Sequence, residues 1–179
     1  MALARPPEMG VRPTGRERFF DPEEVIVSKT DCSGRITYAN DVFVRVSGYT
    51  EKELLGQPHS IIRHPEMPRA VFRMLWDTIE QGREIFAYVV NMAKTGDHYW
   101  VFAHVTPTFG ASGEIVGFHS NRRVPEPKPL ETIQSIYRSM LQEERRQQDK
   151  AAQIEASSRL LTKMLADRNC AYDELMFTL

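Results

Sequence analysis

The chain has 179 residues and a formal net charge of −1, and 41% of its residues are hydrophobic. The near-zero charge argues against a general nucleic-acid-binding protein, which usually carries a basic face. The sequence has no run of ~18 apolar residues and its start lacks the apolar segment of a signal peptide, so we expect a cytoplasmic protein without direct membrane insertion. Cys32 and Cys170 lie far apart outside any CxxC pair, which argues against a disulfide framework or a zinc site.

Composition divides the chain into three segments. Residues 1–20 are rich in Pro, Gly and Arg and show no hydrophobic period, which is typical of a flexible arm. Residues 21–125 carry the patterns of one mixed domain. Residues 126–179 follow the breaker "EPKP", are rich in Gln, Glu, Arg, Lys and Ala, and predict a helical extension.

Strand-like and helical patterns alternate through the central segment. "VIVSKTD" and "RITYAND", separated by "CSG", predict a β-hairpin, and "NDVFVRVSGY" and "TEKELLG" predict two short helices. "PRAVFRMLWDTIEQG" predicts a longer helix that ends at Gly82. "EIFAYVVNMA", "HYWVFAHVTPTF" and "EIVGFHSNRRV" predict three further strands joined by Gly-containing turns. We therefore expect an α+β fold, a five-stranded antiparallel sheet with helices on one face, which is the arrangement of a PAS sensor domain.

The helical extension has apolar residues at helical spacing near both of its ends. Ile133, Ile136 and Met140 belong to the first group, and Leu161 and Leu165 to the second. The polar middle "LQEERRQQDKAAQ" interrupts the stripe, so a continuous coiled coil does not follow. Two helices that pack on a partner, or back on the sheet, are both compatible with this pattern.

The stretch "QPHSIIRHPEMP" holds the main candidate site residues. Pro65 biases His64 towards an extended backbone, which predicts a turn leading into the helix that starts near Met67 or Pro68. In a PAS topology this turn lies at the mouth of the cavity between sheet and helices. Arg63 and His64 would then be donors beside a ligand. Each also has a plain structural explanation, as a surface cap or an ion-pair partner.

Three further residues complete an environment that a flavin ring would need. Trp76 offers a flat aromatic wall, and Asn40 and Asn91 offer amides for the pyrimidine edge of the ring. A Trp on a helix is more often a core residue, and an Asn at the end of a strand often closes a turn.

Two longer segments carry a family resemblance. "ITYANDVFVRVSGYTEKELLGQPHSIIRHPEMPRAVFRMLW" and "GDHYWVFAHVTP" resemble the PAS domain of bacterial aerotaxis receptors, the Aer family. The resemblance implies non-covalent FAD and redox or oxygen sensing. Because the sequence also carries no enzymatic motif, we expect a sensor without enzymatic activity. It also implies five flavin-contacting positions: Asn40, Arg63, His64, Trp76 and Asn91.

The layout of the chain resembles stand-alone CetB-like energy-taxis proteins more than a complete receptor. That resemblance implies a separate membrane chemoreceptor or transducer as partner, and a homodimer is compatible with it. Ile85 and Phe86 stand where the family usually carries "PW", which removes one expected ring contact.

Two alternatives keep the fold and change the ligand. One is a haem sensor, with an axial imidazole; the candidates are His59, His64, His98, His104 and His119. The other is a ligand-free adaptor whose C-terminal helices dock on a signalling protein. Enzymatic motifs such as GxxxxGK[ST], GxSxG and HExxH do not occur in the sequence, and the scattered histidines favour no metal site.

Overall fold

The computed structural model describes residues 11–179, and its five strands are those that the sequence predicts. They are β1 (Ile26–Thr30), β2 (Ile36–Ala39), β3 (Ile85–Met92), β4 (His98–Phe109) and β5 (Ile115–Arg123). All pairings are antiparallel and the strand order is β2-β1-β5-β4-β3. The predicted α+β fold is therefore confirmed. Because β5 returns to pair with β1, Ser28 lies opposite Ser120 and Ile26 lies opposite Arg122 in the middle of the sheet.

Three α-helices and one turn of 3-10 helix connect β2 to β3. They are α1 (Asp41–Ser47), α2 (Glu51–Leu54), the 3-10 helix His59–Ile62 and α3 (Arg69–Glu80). Asn40 and Thr50 cap α1 and α2, because each side chain accepts a backbone N–H three residues later. Pro68 occupies the N-cap position of α3, so this helix begins at Arg69, one or two residues later than the sequence predicts.

The two faces of the sheet have different neighbours. Side chains alternate along a strand, so Tyr99, Val101 and Ala103 share one face of β4 and are buried. This inner face lies against α1 to α3. The intervening Trp100 and Phe102 belong to the outer face, where Trp100 contacts Tyr137 with ring centroids 6.2 Å apart. The core therefore has two layers, one on each side of the sheet.

The C-terminal extension packs back on the domain. It consists of α4 (Pro127–Arg145), α5 (Lys150–Asp167) and α6 (Tyr172–Thr178). The buried Tyr137 hydroxyl of α4 donates a hydrogen bond of 2.7 Å to the carbonyl of Tyr88 on β3. The Phe177 ring of α6 lies 4.7 Å from that of Phe86 on the same strand. Of the two arrangements compatible with the sequence, the structure shows helices that cover the outer face of the sheet.

Residues 14–18 run beside the start of β4. The backbone N–H of Arg18 donates to the carbonyl of His98 at 2.7 Å, and the N–H of His98 donates to the carbonyl of Arg16 at 2.9 Å. This part of the segment interpreted as a flexible arm is thus hydrogen-bonded to the domain, while residues 1–10 lie outside the described part of the chain. Among residues 11–179, no helix has both the length and the apolar character that crossing a bilayer requires.

Candidate ligand-binding cavity

A cavity of about 250 Å³ lies between the inner face of the sheet, α3 and the 3-10 helix. The sheet contributes Ser28, Thr30, Val89, Asn91, Ala103, Val105, Phe118, His119, Ser120 and Arg122, and the helical side contributes His59, Ser60, Ile62, Arg63, Phe72, Trp76 and Ile79. Exposed side chains of Ser33, Arg73 and Glu80 also line it and mark its mouth. The cavity lies at the turn where the sequence predicts the site.

Arg63 and His64 point in opposite directions. Arg63 forms an isolated antiparallel bridge with Asn91 at the edge of β3, so this short segment is extended and its side chains alternate. Arg63 and Asn91 both line the cavity. His64 does not; its buried ring lies 5.8 Å from that of His98, and its Nδ1 accepts the N–H of Glu66 at 3.2 Å. The structure therefore gives His64 the role of a turn-stabilising residue outside the cavity.

The Arg63 guanidinium lies over the ring of Phe72, with Cζ 4.4 Å from the ring centroid. Burial, together with the positive charge of Arg69, lowers the pKa of Arg63 to about 10, and the carboxylate of Glu144 acts in the opposite direction. Arg63 stays protonated at neutral pH. It brings a positive charge and planar donors to the cavity wall.

Asn91 presents an unused donor to the cavity. Its side chain is buried, and Nδ2 has no hydrogen-bond partner among the described residues. The buried hydroxyls of Thr30 and Ser60, two other residues of the cavity lining, also have no hydrogen-bond partner among the described residues. Buried polar atoms without partners are rare in folded proteins, because leaving them unpaired costs about 1–3 kcal/mol each. These three buried groups belong to residues of the cavity lining and have unused hydrogen-bonding capacity.

Trp76 forms an aromatic wall of the cavity. Its ring meets that of Phe118 edge-on at 5.5 Å and also covers the backbone of Gly34 in the β1–β2 turn. Gly34 has a φ of +78°, and a Cβ at this position would lie 2.9 Å from Cη2 of Trp76. The turn therefore needs glycine both for its backbone conformation and for the approach of the indole.

Asn40 lies outside the cavity lining. Its Oδ1 accepts the N–H groups of Val27 and Phe43, both at 3.0 Å, and its Nδ2 donates to the carbonyl of Val25 at 2.8 Å. Asn40 thus joins β1 to the start of α1. This geometry does not support flavin contact by Asn40 or His64. Local backbone groups already form hydrogen bonds with Oδ1 and Nδ2 of Asn40 and with Nδ1 of His64.

Ile85 and Phe86, which replace the expected Trp, belong to opposite faces of β3. Ile85 is buried in a small apolar cluster with Ile79 and Val105. Phe86 lies on the outer face, where its ring stacks on that of His104 at 4.1 Å. Neither residue lines the cavity, and Trp76 is the one tryptophan of the described residues that does.

Arg122 is a cavity residue that the sequence reasoning missed. It is 2% exposed, its Nη2 donates to Oγ of Ser28 at 2.6 Å, and its guanidinium lies 4.4 Å from the centroid of the Phe43 ring. Nε and Nη1 have no partner among residues 11–179. A signal was present in "GFHSNRRV", because period-two alternation places Arg122 on the same face as Phe118 and Ser120.

His59 completes a short polar chain with Arg122 and Ser28. The Oγ of Ser28 accepts the Arg122 hydrogen bond, and it also lies within hydrogen-bond distance, 3.2 Å, of Nε2 of His59. Burial, and then the charge of Arg122, lower the pKa of His59 to about 3. His59 is therefore neutral at physiological pH.

Of the five candidate haem-ligating histidines, His59 and His119 belong to the cavity lining. The ring of His119 lies on the other face of β5, with its Nε2 3.1 Å from Oδ1 of Asn121. The rings of His64 and His98 lie against each other. On the outer face of the sheet, Nε2 of His104 lies 2.7 Å from Oε2 of Glu84. Within residues 11–179, no group of three or more His, Cys, Asp or Glu side chains is placed to hold a metal ion.

Glu144 connects the cavity wall to the C-terminal extension. This buried residue of α4 accepts the backbone N–H of Arg69, the first residue of α3, at 2.7 Å. The same Oε1 atom accepts the hydroxyl of Ser157 on α5 at 2.8 Å. A carboxylate at a helix N-terminus is stabilised by the free N–H groups there. Three helices therefore meet at one carboxylate next to the turn that holds Arg63.

Comparison with known proteins agrees with this architecture. Residues 36–122 match the family described as PAS fold. The chain is 41% identical over 118 residues, 66% of its length, to the aerotaxis receptor of Escherichia coli (strain K12), and spans 23% of that protein. It is 31% identical over 105 residues, 59% of its length, to the nitrogen fixation regulatory protein of Klebsiella pneumoniae, and spans 21% of it.

Among solved structures, a light-oxygen-voltage domain studied with a flavin analogue has a TM-score of 0.53 at 21% identity, covering 61% of this chain and 82% of that one. The chain thus spans less than a quarter of the two curated relatives. The family match runs from β2 to β5 and includes the helices between β2 and β3. Strand order, cavity position and the family match together show that residues 36–122 have the PAS fold.

Proposed function

We propose that this chain is a cytoplasmic, FAD-binding PAS sensor of redox state or oxygen that signals to a separate membrane chemoreceptor or transducer in aerotaxis or energy taxis. The observation that carries the proposal is the meeting of Arg63, Trp76 and Asn91 around one cavity, with the Asn91 amide N–H unpaired. The motif resemblance implies these three positions for flavin contact. The similarity to an aerotaxis receptor supports the choice of biological process.

The residues present fit a flavin. Trp76 and Ile79 of α3 face Val89 and Ala103 of the sheet across the cavity, and this gives an apolar slot for a planar ring. The Nδ2 group of Asn91 would donate to a ring carbonyl, and Arg63 would hold an anionic group of the cofactor. A volume of about 250 Å³ suits a ring system better than a whole dinucleotide, so part of FAD would extend through the mouth. When bound, a flavin supplies reversible electron transfer.

We further propose that the output passes through α3 to the C-terminal extension. α3 carries Trp76 in the cavity wall and begins at Arg69, whose N–H is held by Glu144. A shift of α3 on ligand binding or on a change of ligand charge would alter this hydrogen bond and the docking of α4 and α5. A coupling of about 1–3 kcal/mol between the two sites is enough for a useful switch. The extension would then present a changed surface to the transducer or to a second copy of the chain.

Titration of the ligand-free protein with FAD tests the binding proposal. We expect quenching of flavin fluorescence at a stoichiometry of about one. Asn91→Leu removes a hydrogen bond to the ring and is expected to weaken binding by roughly tenfold or more. Trp76→Phe reduces the stacking surface and is expected to weaken it by up to about tenfold. Trp100→Phe, on the outer face of the sheet, is the matched control and should bind like the wild type.

Two outcomes would replace the proposal with an alternative. Failure to bind FAD, combined with a Soret band when haem is added, would identify a haem sensor that uses His59. Failure to bind either cofactor would identify a ligand-free adaptor. In the adaptor case, Trp76→Phe would change only the stability of the protein.

A further inference from the structure

We propose that Arg122 is the charge-recognition residue of the cavity, kept without an acidic partner so that it binds a ring in its anionic form. This inference rests on the proposed flavin-binding function and goes beyond it, because it states which charge state the cavity prefers.

The guanidinium of Arg122 is buried inside the protein. Arg122 lies in β5 at the centre of the sheet, where it is 2% exposed, and its side chain lines the cavity. A guanidinium stays protonated in proteins, so a positive charge is present in this interior at neutral pH. A buried ion without a partner costs several kcal/mol, and proteins rarely keep one without compensation.

Within the described chain, no acidic side chain pairs with the guanidinium of Arg122. Ser28 is neutral and uses one guanidinium nitrogen, and the Phe43 ring offers its face at 4.4 Å. Nε and Nη1 remain without partners in the described residues. The ionisable groups that act on Arg122 or sense its charge are Tyr99 and His59, and neither is a carboxylate. The acidic residues that line the cavity, Asp77 and Glu80, belong to α3 and are partly or fully exposed.

Arg122 is held in a fixed position by the sheet. Arg122 pairs with Ile26 on β1 and with Ala103 on β4, so its backbone is fixed from both sides. The hydroxyl of Ser28 and the ring of Phe43 then hold the planar head group. A charge that is held in advance in the protein interior interacts more strongly with an opposite charge on a ligand than it would in water, and it needs little reorganisation on binding.

The consequence is a preference between two forms of one ligand. The oxidised flavin ring is neutral, whereas the fully reduced ring is an anion at neutral pH once its N1 proton is lost. Arg122 should therefore bind reduced FAD more tightly than oxidised FAD. A hydrogen bond to a charged group contributes about 1.5–3 kcal/mol, which corresponds to roughly 10- to 150-fold in affinity.

Paired titrations with oxidised FAD and with dithionite-reduced FAD under nitrogen test this inference. In the wild type we expect tighter binding of reduced FAD. Arg122→Met should weaken the binding of reduced FAD by about 10- to 150-fold and that of oxidised FAD much less. Arg122→Lys keeps the charge and should retain the preference. Arg123→Met, one residue away and exposed, is the matched control and should behave like the wild type.

Thermal unfolding of the ligand-free proteins separates recognition from a structural role. Replacing an unpaired buried ion by an apolar side chain of similar size is often neutral or stabilising. Ligand-free Arg122→Met should therefore unfold at a temperature no lower than that of the wild type. An Arg122→Met protein that is less stable would show that the guanidinium supports the fold instead.

The outcomes distinguish this inference from the proposed function. A wild type that binds neither form of FAD would refute the flavin-binding function itself. A wild type that binds both forms equally, or an Arg122→Met variant with unchanged preference, would refute the role of Arg122 and leave flavin binding in place. If Arg122→Met does not fold, loss of the preference in Arg122→Lys would still overturn the inference.

Discussion

The carboxylate of Glu144 and the backbone N–H of Arg69 form a hydrogen bond of 2.7 Å across 75 residues of sequence. Pro68, the N-cap residue of α3, provides no side-chain cap, so a residue from α4 takes that role. The helix that carries Trp76 is thus completed by the C-terminal extension. Contact between cavity wall and extension is built into the start of α3.

Glu144→Ala tests the importance of this contact. The substitution leaves the Arg69 N–H and the Ser157 hydroxyl without their shared acceptor, and we expect a loss of about 2 kcal/mol in the free energy of unfolding. The neighbouring Glu143 pairs with the largely exposed Arg146, so Glu143→Ala should cost less than about 1 kcal/mol. Urea unfolding measures both. Equal losses in the two variants would show that the Glu144 carboxylate adds nothing beyond an ordinary surface charge.

Gly34 and Gly113 form a matched pair for testing the position of the Trp76 ring. Both have positive φ, +78° and +86°, but a Cβ at Gly113 would meet no atom within 4 Å, whereas one at Gly34 would meet Trp76. Gly113→Ala should therefore cost only the backbone strain, about 1–2 kcal/mol. Gly34→Ala should cost a further ~1–3 kcal/mol from overpacking and should also shift the tryptophan emission. Identical stabilities and spectra would place the indole away from this turn.

The buried imidazole of His59 predicts a pH dependence of stability. Burial and the charge of Arg122 lower its pKa from 6.5 in the unfolded chain to about 3 in the folded protein. Between these values the unfolded state binds more protons, so stability falls as the pH decreases through this window. From pH 7 to pH 5 the loss due to His59 should be at most about 2 kcal/mol.

His59→Gln keeps a hydrogen-bond acceptor for Ser28 but cannot titrate. Its free energy of unfolding should therefore depend less on pH over that interval than that of the wild type. The pKa of His64 is also lowered by burial, so some dependence should remain. Urea unfolding at a series of pH values provides the comparison. Parallel curves for the two proteins would show that His59 is solvated and ordinary.

The order of elements could be predicted from the sequence because it depends on local patterns. β-branched runs, Gly-containing turns and the Thr50 cap each act within a few residues, and the strands and helices follow them closely. The direction of Arg63 and His64 could not be predicted in the same way. It depends on the bridge between Arg63 and Asn91, which joins segments far apart in the chain and sends adjacent side chains to opposite sides.

The part of the site that the sequence reasoning missed arises from the central pairing of β1 with β5. This pairing brings Ser28 next to Arg122, 94 residues later, and neither residue belongs to a recognisable motif. Asn40, in contrast, was predicted as a ligand contact but lies outside the cavity lining. The amide expected at the ligand is used by three local hydrogen bonds, because a strand end that begins a helix needs a cap.

The near-ultraviolet and visible absorption spectrum of the purified protein, before and after addition of FAD and removal of the excess, tests most directly whether the cavity holds a flavin. We predict the two absorption bands of a bound flavin, shifted and better resolved than those of free FAD because the ring lies in a dry, apolar slot. We also predict that Asn91→Leu diminishes these bands and Trp100→Phe leaves them unchanged. A wild-type protein that remains colourless after FAD addition would contradict the account.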